Sequence, residues 1–428
     1  MKEARAPSPP FAVASIIVSM GLMATGNGVM FAYIPLKLAF EGFAPWVAGT
    51  MITALAAGGI GGCLLVGVLV RRVGHARVFA ALVALVILSV LMIALQTEPI
   101  TWILARALYG FAMTGLFIIS QSWLNDASEN AWRGRVIAVF YMTCVFAIGA
   151  GGYVLKFIEL ETLQGPLLGI FFAALAILPV SLTRLRTPPP PEAVSVAVAA
   201  VWRISPVGLL GLLAVGGLTM LVAGFAPIYA AGEGYAKEDI ALLLFLMQFG
   251  MIGVQYPLGA ISDRTDRRYV LLAACAIVIG SAAVASQVSG TTLVWLILIF
   301  AIWSGGTETI YAVANAHAND RAEPQYYVSL SSTLLIAWSV SGFVLPGIAT
   351  ALTQVVGLQA FMFVAMAVAG LYAAFVAYRL TRREPAPLAS QEPYQPISAQ
   401  VPRAPELCPQ APDEAANLSP ADGVGAER

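Results

Sequence analysis

Two charged residues lie inside apolar stretches that are long enough to cross a bilayer, and they are the strongest candidates for chemistry in this chain. Arg106 lies within the stretch 101–124, and Glu308 lies within 291–316. A charge near the membrane centre costs about 2.5–3.5 kcal/mol on insertion scales, so such residues usually face a protein interior or a water-filled cavity. The two positions therefore predict either a polar functional site between helices or a structural ion pair.

Polar side chains share one face of the predicted helix that contains Glu308. At 100° per residue, Ser304, Tyr311 and Asn315 lie along that face with it. Isolated amides in other membrane helices often serve only as interhelical hydrogen bonds. Because their helices can surround one cavity, we predict a substrate or proton site. Its candidate residues are Asn27, Tyr33, Arg106, Gln121, Gln248, Glu308, Tyr311 and Asn315.

A short loop between two apolar stretches combines glycine with dense charge. From Gly259 the sequence continues through Asp263 and Arg264 to Arg267 and Arg268. Glycine lets two helix ends approach closely, and the carboxylate can pair with an arginine or lie at a helix N-terminus. A solvated turn of a soluble protein is the alternative, but both flanking stretches are long enough to cross a bilayer. We predict that this loop controls conformational gating.

A weaker copy of the loop occurs about 190 residues earlier, which is the spacing of an internal duplication. It contains Gly67, Arg71, Arg72, Gly74, His75 and Arg77. An acidic motif is repeated at nearly the same spacing, as Asn125, Asp126 and Glu129 and again as Asn319, Asp320 and Glu323. We therefore predict two parallel repeats and add four residues to the gating set: Gly67, Arg71, Asp126 and Asp320.

The repeat also predicts partners for the gating arginines. Asp320 or Glu323 is expected to pair with Arg267 when the cytosolic side is closed. In the first copy, Arg71 replaces the carboxylate that Asp263 supplies in the second. The acidic motif that begins at residue 125 is therefore expected to engage the first arginine cluster instead.

Glu308 is also predicted to bind and release protons. It lies about eight residues from the inner end of its span, roughly 12 Å deep at about 1.5 Å per residue. The fourth and tenth spans are equivalent in the two repeats, and Ala301 is the residue that matches Arg106. We expect Arg106 to pair with the Glu308 carboxylate, with substrate or a proton competing for the two residues.

The composition is that of a membrane protein. Of its 428 residues, 59% are hydrophobic and 11% are charged, whereas about 25% of the residues in soluble domains are charged. The formal net charge is zero, so no nucleic-acid partner is expected. The four cysteines and two histidines show no disulfide framework or metal-ligand spacing, and neither a metal nor a cofactor is expected.

Twelve apolar stretches are near the ~20 residues that cross a hydrocarbon core, which predicts an all-α, polytopic membrane protein. They run approximately over 11–40, 46–70, 76–95, 101–124, 135–157, 164–183, 206–230, 238–261, 269–288, 291–316, 327–352 and 357–380. Four prolines, Pro188–Pro191, interrupt helix formation midway. The predicted domains are a cytosolic N-terminus (1–10), a six-helix bundle (11–183), a cytosolic linker (184–205), a second six-helix bundle (206–383) and a disordered tail (384–428).

The placement of lysine and arginine predicts the orientation. With a cytosolic N-terminus, the outer side carries only Lys37, Lys156 and Lys237, and the arginine-rich loops all lie inside. The predicted location is the plasma membrane, which is the inner membrane of a bacterium, with both termini cytoplasmic. The first apolar stretch exceeds the about 7–15 residues of a signal peptide, so it is predicted to be an uncleaved helix.

Three motifs resemble those of the major facilitator superfamily. The loop at 259–268 resembles the motif between the second and third helices of each half. Arg106 with Gly110 resembles the arginine-containing motif in the fourth helix of proton-coupled members. The glycines of 149–152 resemble a reduced form of the fifth-helix motif of antiporters, although its Gly-Pro pair is missing.

Residues 121–136 (QSWLNDASENAWRGRV), together with Arg71, most resemble the YcaD-like branch of this superfamily, and the resemblance covers roughly residues 11–383. It implies a twelve-helix inner-membrane transporter made of two pseudo-symmetric bundles, the major facilitator fold.

We expect a monomer in the lipid bilayer that moves a small organic solute by alternating access. Protons are the expected energy source, since the sequence has no nucleotide-binding GxxxxGK[ST] motif. A transport-inactive sensor or scaffold is the alternative, and a membrane-embedded enzyme would need a clustered catalytic group that the sequence does not display.

Overall fold

Helices form all the regular secondary structure in the part of the chain that the computed structural model describes. That part comprises residues 9–128, 132–183, 196–287, 290, 292–382, 384, 391, 394 and 397–401. The helices of the first half are α1 (Pro9–Phe40), α2 (Pro45–Val73), α3 (His75–Leu95), α4 (Pro99–Ala127), α5 (Arg133–Val154) and α6 (Gln164–Leu182). Those that follow are α7 (Val198–Ile204), α8 (Pro206–Gly232), α9 (Lys237–Met247), α10 (Tyr256–Ser262), α11 (Arg267–Gln287), α12 (Leu293–Asn319), α13 (Tyr327–Val356) and α14 (Ala360–Leu380).

The last two spans are separated by a tight turn. Eleven described stretches are long and apolar enough to cross a membrane, and one of them, Ser329–Leu380, contains both α13 and α14. Between these helices, Gly357 has a φ of 75°, a left-handed conformation that favours glycine and lets the chain reverse. When α13 and α14 are counted as two spans, the described residues contain the twelve spans that the sequence predicts. Helices α9 and α10 together form the eighth.

The eighth span is interrupted. A π-helical turn at Met251–Gln255 joins the segment that begins with α9 to α10. Such turns disturb the regular helical register and are frequently found at functional sites. Gln255, the last residue of this turn, is buried.

The two halves repeat one packing pattern. In the first half, α1 packs against α5 and α6, and α3 packs against α4 and α6. In the second half, α8 packs against α13 and α14, and α11 packs against α12 and α14. The internal repeat therefore corresponds to two pseudo-symmetric six-helix bundles, as predicted.

Close backbone contact within the first bundle depends on glycine. A Cβ atom on Gly58 of α2 would overlap the carbonyl oxygen of Ala107, and a Cβ atom on Gly110 of α4 would overlap that of Leu55. Any side chain at either position would push the two helices apart. These glycines therefore fix the distance between α2 and α4.

The bundles contact each other through α2 with α13 and through α5 with α9. At the end of α5, the Lys237 ammonium donates a hydrogen bond to the carbonyl oxygen of Ile158 (2.6 Å), and the rings of Tyr153 and Phe245 lie 5.6 Å apart. The loops at 71–77 and 263–268 lie at the other end, which we call the arginine-rich end. Most of the length of α5 separates the two ends.

Part of the C-terminal tail lies inside the molecule. Ile397, Ser398, Ala399 and Val401 are buried, and we call residue 394 with residues 397–401 the tail segment. The prediction of disorder over 384–428 differs from the structure at these positions, because the segment finds hydrogen-bond partners on the second bundle. Residues 1–8, the linker residues 184–195 with their four prolines, and most of the tail lie outside the described residues.

Candidate functional site

A cavity of about 120 Å³ lies between the two bundles. The first bundle contributes α1, α2, α4 and α5 to its wall, and the second contributes α8 and α13. A smaller cavity of about 40 Å³ adjoins it toward α9 and α12, and both are lined by Phe31, Ile148, Ala223 and Gln400. The two bundles thus share one central site, to which the tail contributes a side chain.

The wall of the larger cavity is mostly apolar, with a few polar groups. The Tyr109 hydroxyl donates a hydrogen bond to Oδ1 of Asn27 (3.0 Å), and both residues line the cavity. The hydroxyl of Thr219 and the indole N–H of Trp338 have no hydrogen-bond partner among the described residues. An apolar cavity with a small number of placed polar groups is typical of a site for a small organic molecule.

Arg106 lies behind this wall. Its guanidinium carbon is 5.4 Å from the ring centroid of Tyr109 and 6.0 Å from that of Phe31, so two lining residues cover the charge. The side chain is 4% exposed, and its Nε and Nη1 have no hydrogen-bond partner in the described part of the chain. Stacking on aromatic rings offsets only part of the cost of burying a guanidinium. The arrangement favours an additional acceptor, such as an anionic group.

Glu308 lies on α12 and is 2% exposed. Its Oε2 accepts a hydrogen bond from the main-chain N–H of Ala399 (2.7 Å). Ser304, one turn away on the same helix, lines the smaller cavity. Glu308 is therefore a buried acid beside the central site, and in this structure the tail donates a hydrogen bond to its carboxylate.

The predicted pair between Arg106 and Glu308 does not form among the described residues. Arg106 is held against Phe31 and Tyr109 of the first bundle, whereas Glu308 binds the tail. Equivalence of the fourth and tenth spans in the repeat relates the positions of two helices, but it does not bring their side chains into contact. The two charges instead lie on opposite bundles with the cavities between them.

At the arginine-rich end, the tail segment contacts the loop at 259–268. The main-chain N–H of Tyr394 donates a hydrogen bond to Oδ1 of Asp263 (2.9 Å). A Cβ atom on Gly259 would overlap the ring of Tyr394. The glycine that the sequence marks as a helix-packing position therefore provides the space for this aromatic ring.

Farther from the arginine-rich end, the same segment contacts two glutamines. The amide of Gln255 donates a hydrogen bond to the carbonyl oxygen of Ile397 (2.7 Å), and that of Gln400 donates one to Gln248 (2.9 Å). Gln248 and Gln400 both line the smaller cavity. Gln248 is a predicted site residue, and the structure brings it together with the tail.

Tyr311 and Asn315 line a separate, small chamber of about 10 Å³ inside the second bundle. The Asn315 amide donates a hydrogen bond to the carbonyl oxygen of Tyr311 (2.9 Å). Trp338 lines both this chamber and the central cavity. The indole ring of Trp338 therefore separates these two predicted residues from the central cavity.

Tyr33 and Gln121 have structural surroundings in the first bundle. Tyr33 packs so closely on Gly165 that a Cβ atom there would overlap its ring. Gln121 is fully buried, and its Oε1 accepts a hydrogen bond from the Tyr141 hydroxyl (3.3 Å). The structure does not place either residue in the wall of the cavities described above, whereas Asn27 lies in that wall.

Arg267 and Asp320 form a two-point ion pair at the arginine-rich end. Nε of Arg267 lies 2.5 Å from Oδ2 of Asp320, and Nη2 lies 3.3 Å from Oδ1. Their side chains are 1% and 2% exposed. Since both residues belong to the second bundle, the pair joins α11 to the end of α12 and does not connect the two bundles.

The other charges of this loop are less buried or paired locally. Arg264 is exposed, and Asp263 lies 3.7 Å from Arg267. Arg268 pairs with Asp266 (2.6 Å) and donates a hydrogen bond to the carbonyl oxygen of Arg379 (3.0 Å). Burial raises the pKa of the Asp266 carboxyl, but its hydrogen bonds with Arg268 outweigh burial and hold this pKa below its ordinary value.

The loop at 71–77 in the first bundle differs from the loop at 263–268 in the second. Asp126 is exposed and belongs to none of the ion pairs in the described part of the chain, so its predicted pairing with the first arginine cluster does not form there. Glu129 lies outside the described residues. A Cβ atom on Gly67 would have only Nη1 of Arg71 near it, at 3.7 Å. No counterpart of the Tyr394 contact is described at this loop.

Sequence reasoning missed four contributors to the site. Tyr109, Thr219 and Trp338 resemble ordinary membrane-helix residues, and only their convergence on one cavity distinguishes them. Gln400 belongs to the short apolar run ISAQV at 397–401, which differs from the proline-rich sequence around it. That run was the available signal that part of the tail can be buried.

Comparison with known proteins places the chain in a family. The model of the Major Facilitator Superfamily matches residues 14–346 and, in a second match, 209–408. The chain is 23% identical over 339 residues to the uncharacterized MFS-type transporter YcaD of Escherichia coli O139:H28 (strain E24377A / ETEC), a match covering 78% of this chain and 86% of that protein. The YcaD of Shigella flexneri matches at the same identity and coverage.

Solved transporter structures share the fold at low sequence identity. The nucleoside transporter NupG has a TM-score of 0.68 at 12% identity, covering 88% of this chain and 99% of that one. The human organic anion transporter MFSD10 (TETRAN) has a TM-score of 0.60 at 13% identity, covering 86% and 100%. A bacterial homolog of the human lysosomal transporter Spinster, in an inward-facing and unoccupied conformation, has a TM-score of 0.68 at 15% identity, covering 91% and 99%. The chain belongs to the major facilitator superfamily, and it is a membrane transporter rather than an enzyme.

Proposed function

We propose that the protein moves a small organic solute across the bacterial inner membrane by alternating access of the central cavity, driven by protons that bind Glu308. The observation that carries this proposal is a cavity walled by both bundles with a buried carboxylate beside it. In transporters built from repeats, the solute site lies near the membrane midplane between the repeats. The monomer is the proposed working unit, since one chain supplies both walls.

The arginine-rich end is proposed to face the cytosol. Its loops carry clustered arginines, as the positive-inside rule requires, and the opposite end has few basic residues. On this assignment the contacts of Gly49 with Thr350 and of Tyr153 with Phe245 close the outer side. The solute would then enter or leave from the cytosolic side, where the tail segment now lies.

Glu308 is the proposed proton-binding residue because its carboxylate is buried without a basic partner among the described residues. Protonation removes a charge that is costly to bury in a membrane. A proton and a solute that donates a hydrogen bond would compete for the same oxygen atoms. Such competition couples the two fluxes.

Arg106 supports a solute with an anionic or strongly accepting group. Two of its nitrogen atoms have no described partner, and it lies directly behind two residues of the cavity wall. A rotation of the Tyr109 or Phe31 ring would expose the guanidinium to the cavity. Organic anions and nucleosides are the first compounds to test, because two transporters with this fold are an organic anion transporter and a nucleoside transporter.

The test is uptake into proteoliposomes across a panel of nucleosides and organic anions, with and without an imposed pH gradient. The proposal predicts accumulation of at least one compound and a larger accumulation when the gradient is present. A transport-inactive sensor would bind a compound without any flux. Binding to the purified protein measured beside uptake separates these two outcomes.

A further inference from the structure

The tail segment lies where the proposed function places the solute, and we propose that it is an internal plug that closes the cavity from the arginine-rich end. Its effect on transport rests on the proposed function, whereas its docking and its closure of the cavity do not. The cavity then has two occupants, the solute and the tail segment of the same chain. Transport requires the plug to leave.

The hydrogen bonds of the tail segment match groups on the helices beside the cavities. Glu308 accepts from the main-chain N–H of Ala399, and Gln255 donates to the main-chain carbonyl of Ile397. A side-chain hydrogen bond also joins Gln400 to Gln248. A main-chain donor and a main-chain acceptor are therefore both satisfied, as buried peptide groups require.

The segment follows one wall from the arginine-rich end to the cavity. Asp263 binds Tyr394 at the entrance, and Gln248 binds Gln400 at the inner end. These two wall residues are about 20 Å apart at about 1.5 Å per helical residue. Arg382 at the end of α14 is twelve residues before Tyr394, and an extended chain of that length spans about 40 Å, which is sufficient for this path.

Attachment to the protein makes the segment an effective competitor. A ligand on a short linker acts at an effective concentration that is about millimolar. If the plug is docked about 90% of the time, the apparent affinity of a solute falls about tenfold, because only the open fraction binds it. A variant that releases the plug should therefore bind the solute about tenfold more tightly than the parent protein does.

Reactivity of introduced cysteines tests the plug without any knowledge of the solute. The full-length protein is first depleted of its four cysteines, Cys63, Cys144, Cys275 and Cys408. Ser398→Cys then reports docking, because Ser398 is fully buried in the tail segment, and in a second protein Thr219→Cys reports entry of a polar maleimide into the cavity. Rates are measured in detergent and compared with those after denaturation.

Two substitutions should release the plug. Ala399→Pro removes the N–H that binds Glu308, and Gly259→Ala introduces a methyl group that overlaps the ring of Tyr394. Each is expected to raise the reaction rates of the thiols introduced at positions 398 and 219 by about tenfold or more. Ala399→Pro acts by loss of one hydrogen bond to a charged group, and Gly259→Ala acts by steric overlap with the Tyr394 ring. The matched controls are Ala399→Gly, which keeps the N–H, and Gly253→Ala, whose Cβ would have no atom within 4 Å.

The plug is rejected if the thiol of the folded, full-length Ser398→Cys protein reacts as fast as it does after denaturation. It is also rejected if, in the Thr219→Cys protein, Ala399→Pro leaves the introduced thiol as shielded as Ala399→Gly does. A thermal unfolding transition matching that of the parent protein excludes misfolding as the cause of faster labelling. Because no transport is measured, these results hold even if the uptake panel finds no solute.

Discussion

The main-chain N–H of Ala399 lies 2.7 Å from Oε2 of Glu308 and joins the C-terminal tail to the acid beside the central cavity. The carboxylate is 2% exposed, so water contributes little to its stabilisation. A solute or a proton that reaches Glu308 competes with this hydrogen bond for the carboxylate charge. The tail and the proposed transport chemistry therefore depend on the same carboxylate.

A cross-link between the bundles should block transport. Sγ of Cys63 on α2 lies 4.0 Å from Oγ of Ser339 on α13, a contact that joins the two bundles. In Ser339→Cys, oxidation or a short bifunctional thiol reagent should link positions 63 and 339 and prevent the bundles from rocking. Uptake should fall to background and recover with reductant. The same reagent should have no effect on uptake in the protein that combines Cys63→Ser with Ser339→Cys, and full activity of the cross-linked protein would refute alternating access at this interface.

Asp320→Asn should destabilise the second bundle strongly. It removes the closer and more buried of the two carboxylates that pair with the buried Arg267 guanidinium, and breaking a buried pair typically costs about 3–5 kcal/mol. The matched control is Asp126→Asn, the equivalent position of the first repeat, which is exposed and should change stability by less than about 0.5 kcal/mol. Denaturant unfolding in detergent measures both values. Equal effects would show that the asymmetry between the repeats has no energetic consequence.

Arg106→Ala should weaken binding of an anionic solute more than binding of a neutral one. The lost interaction is a hydrogen bond to a charged group, so the expected loss is about tenfold to a hundredfold for the anion. Arg264→Ala removes an exposed arginine and should leave both affinities unchanged. A uniform loss for charged and neutral solutes in Arg106→Ala would assign the residue a structural role.

The fold was predictable because membrane helices are specified locally. Twelve apolar stretches, the repeated glycine and arginine loop and the distribution of basic residues each follow from the cost of placing polar groups in a bilayer. The interruption of the eighth span, the π turn at Met251–Gln255, was missed, although Pro257 directly after it removes a main-chain N–H from the helix and was the available signal.

The site was predictable only in part. A buried charge such as Glu308 is conspicuous in an apolar stretch, but its partner depends on tertiary structure. The repeat suggested Arg106 as that partner, whereas the structure places Ala399 there, a residue 91 positions away in the tail. A main-chain N–H has no signature in sequence, so composition alone assigned this segment to disorder.

The most direct test of the account is pH-gradient-driven uptake by Glu308→Gln in proteoliposomes, with the exposed Glu161→Gln as the matched control. The account predicts that Glu308→Gln still binds solute and exchanges it across the membrane but no longer accumulates it when a proton gradient is imposed. The Glu161→Gln protein should accumulate solute as the parent protein does. Accumulation by Glu308→Gln against a solute gradient, with unchanged dependence on pH, would contradict the coupling role and leave Glu308 as an anchor for the tail alone.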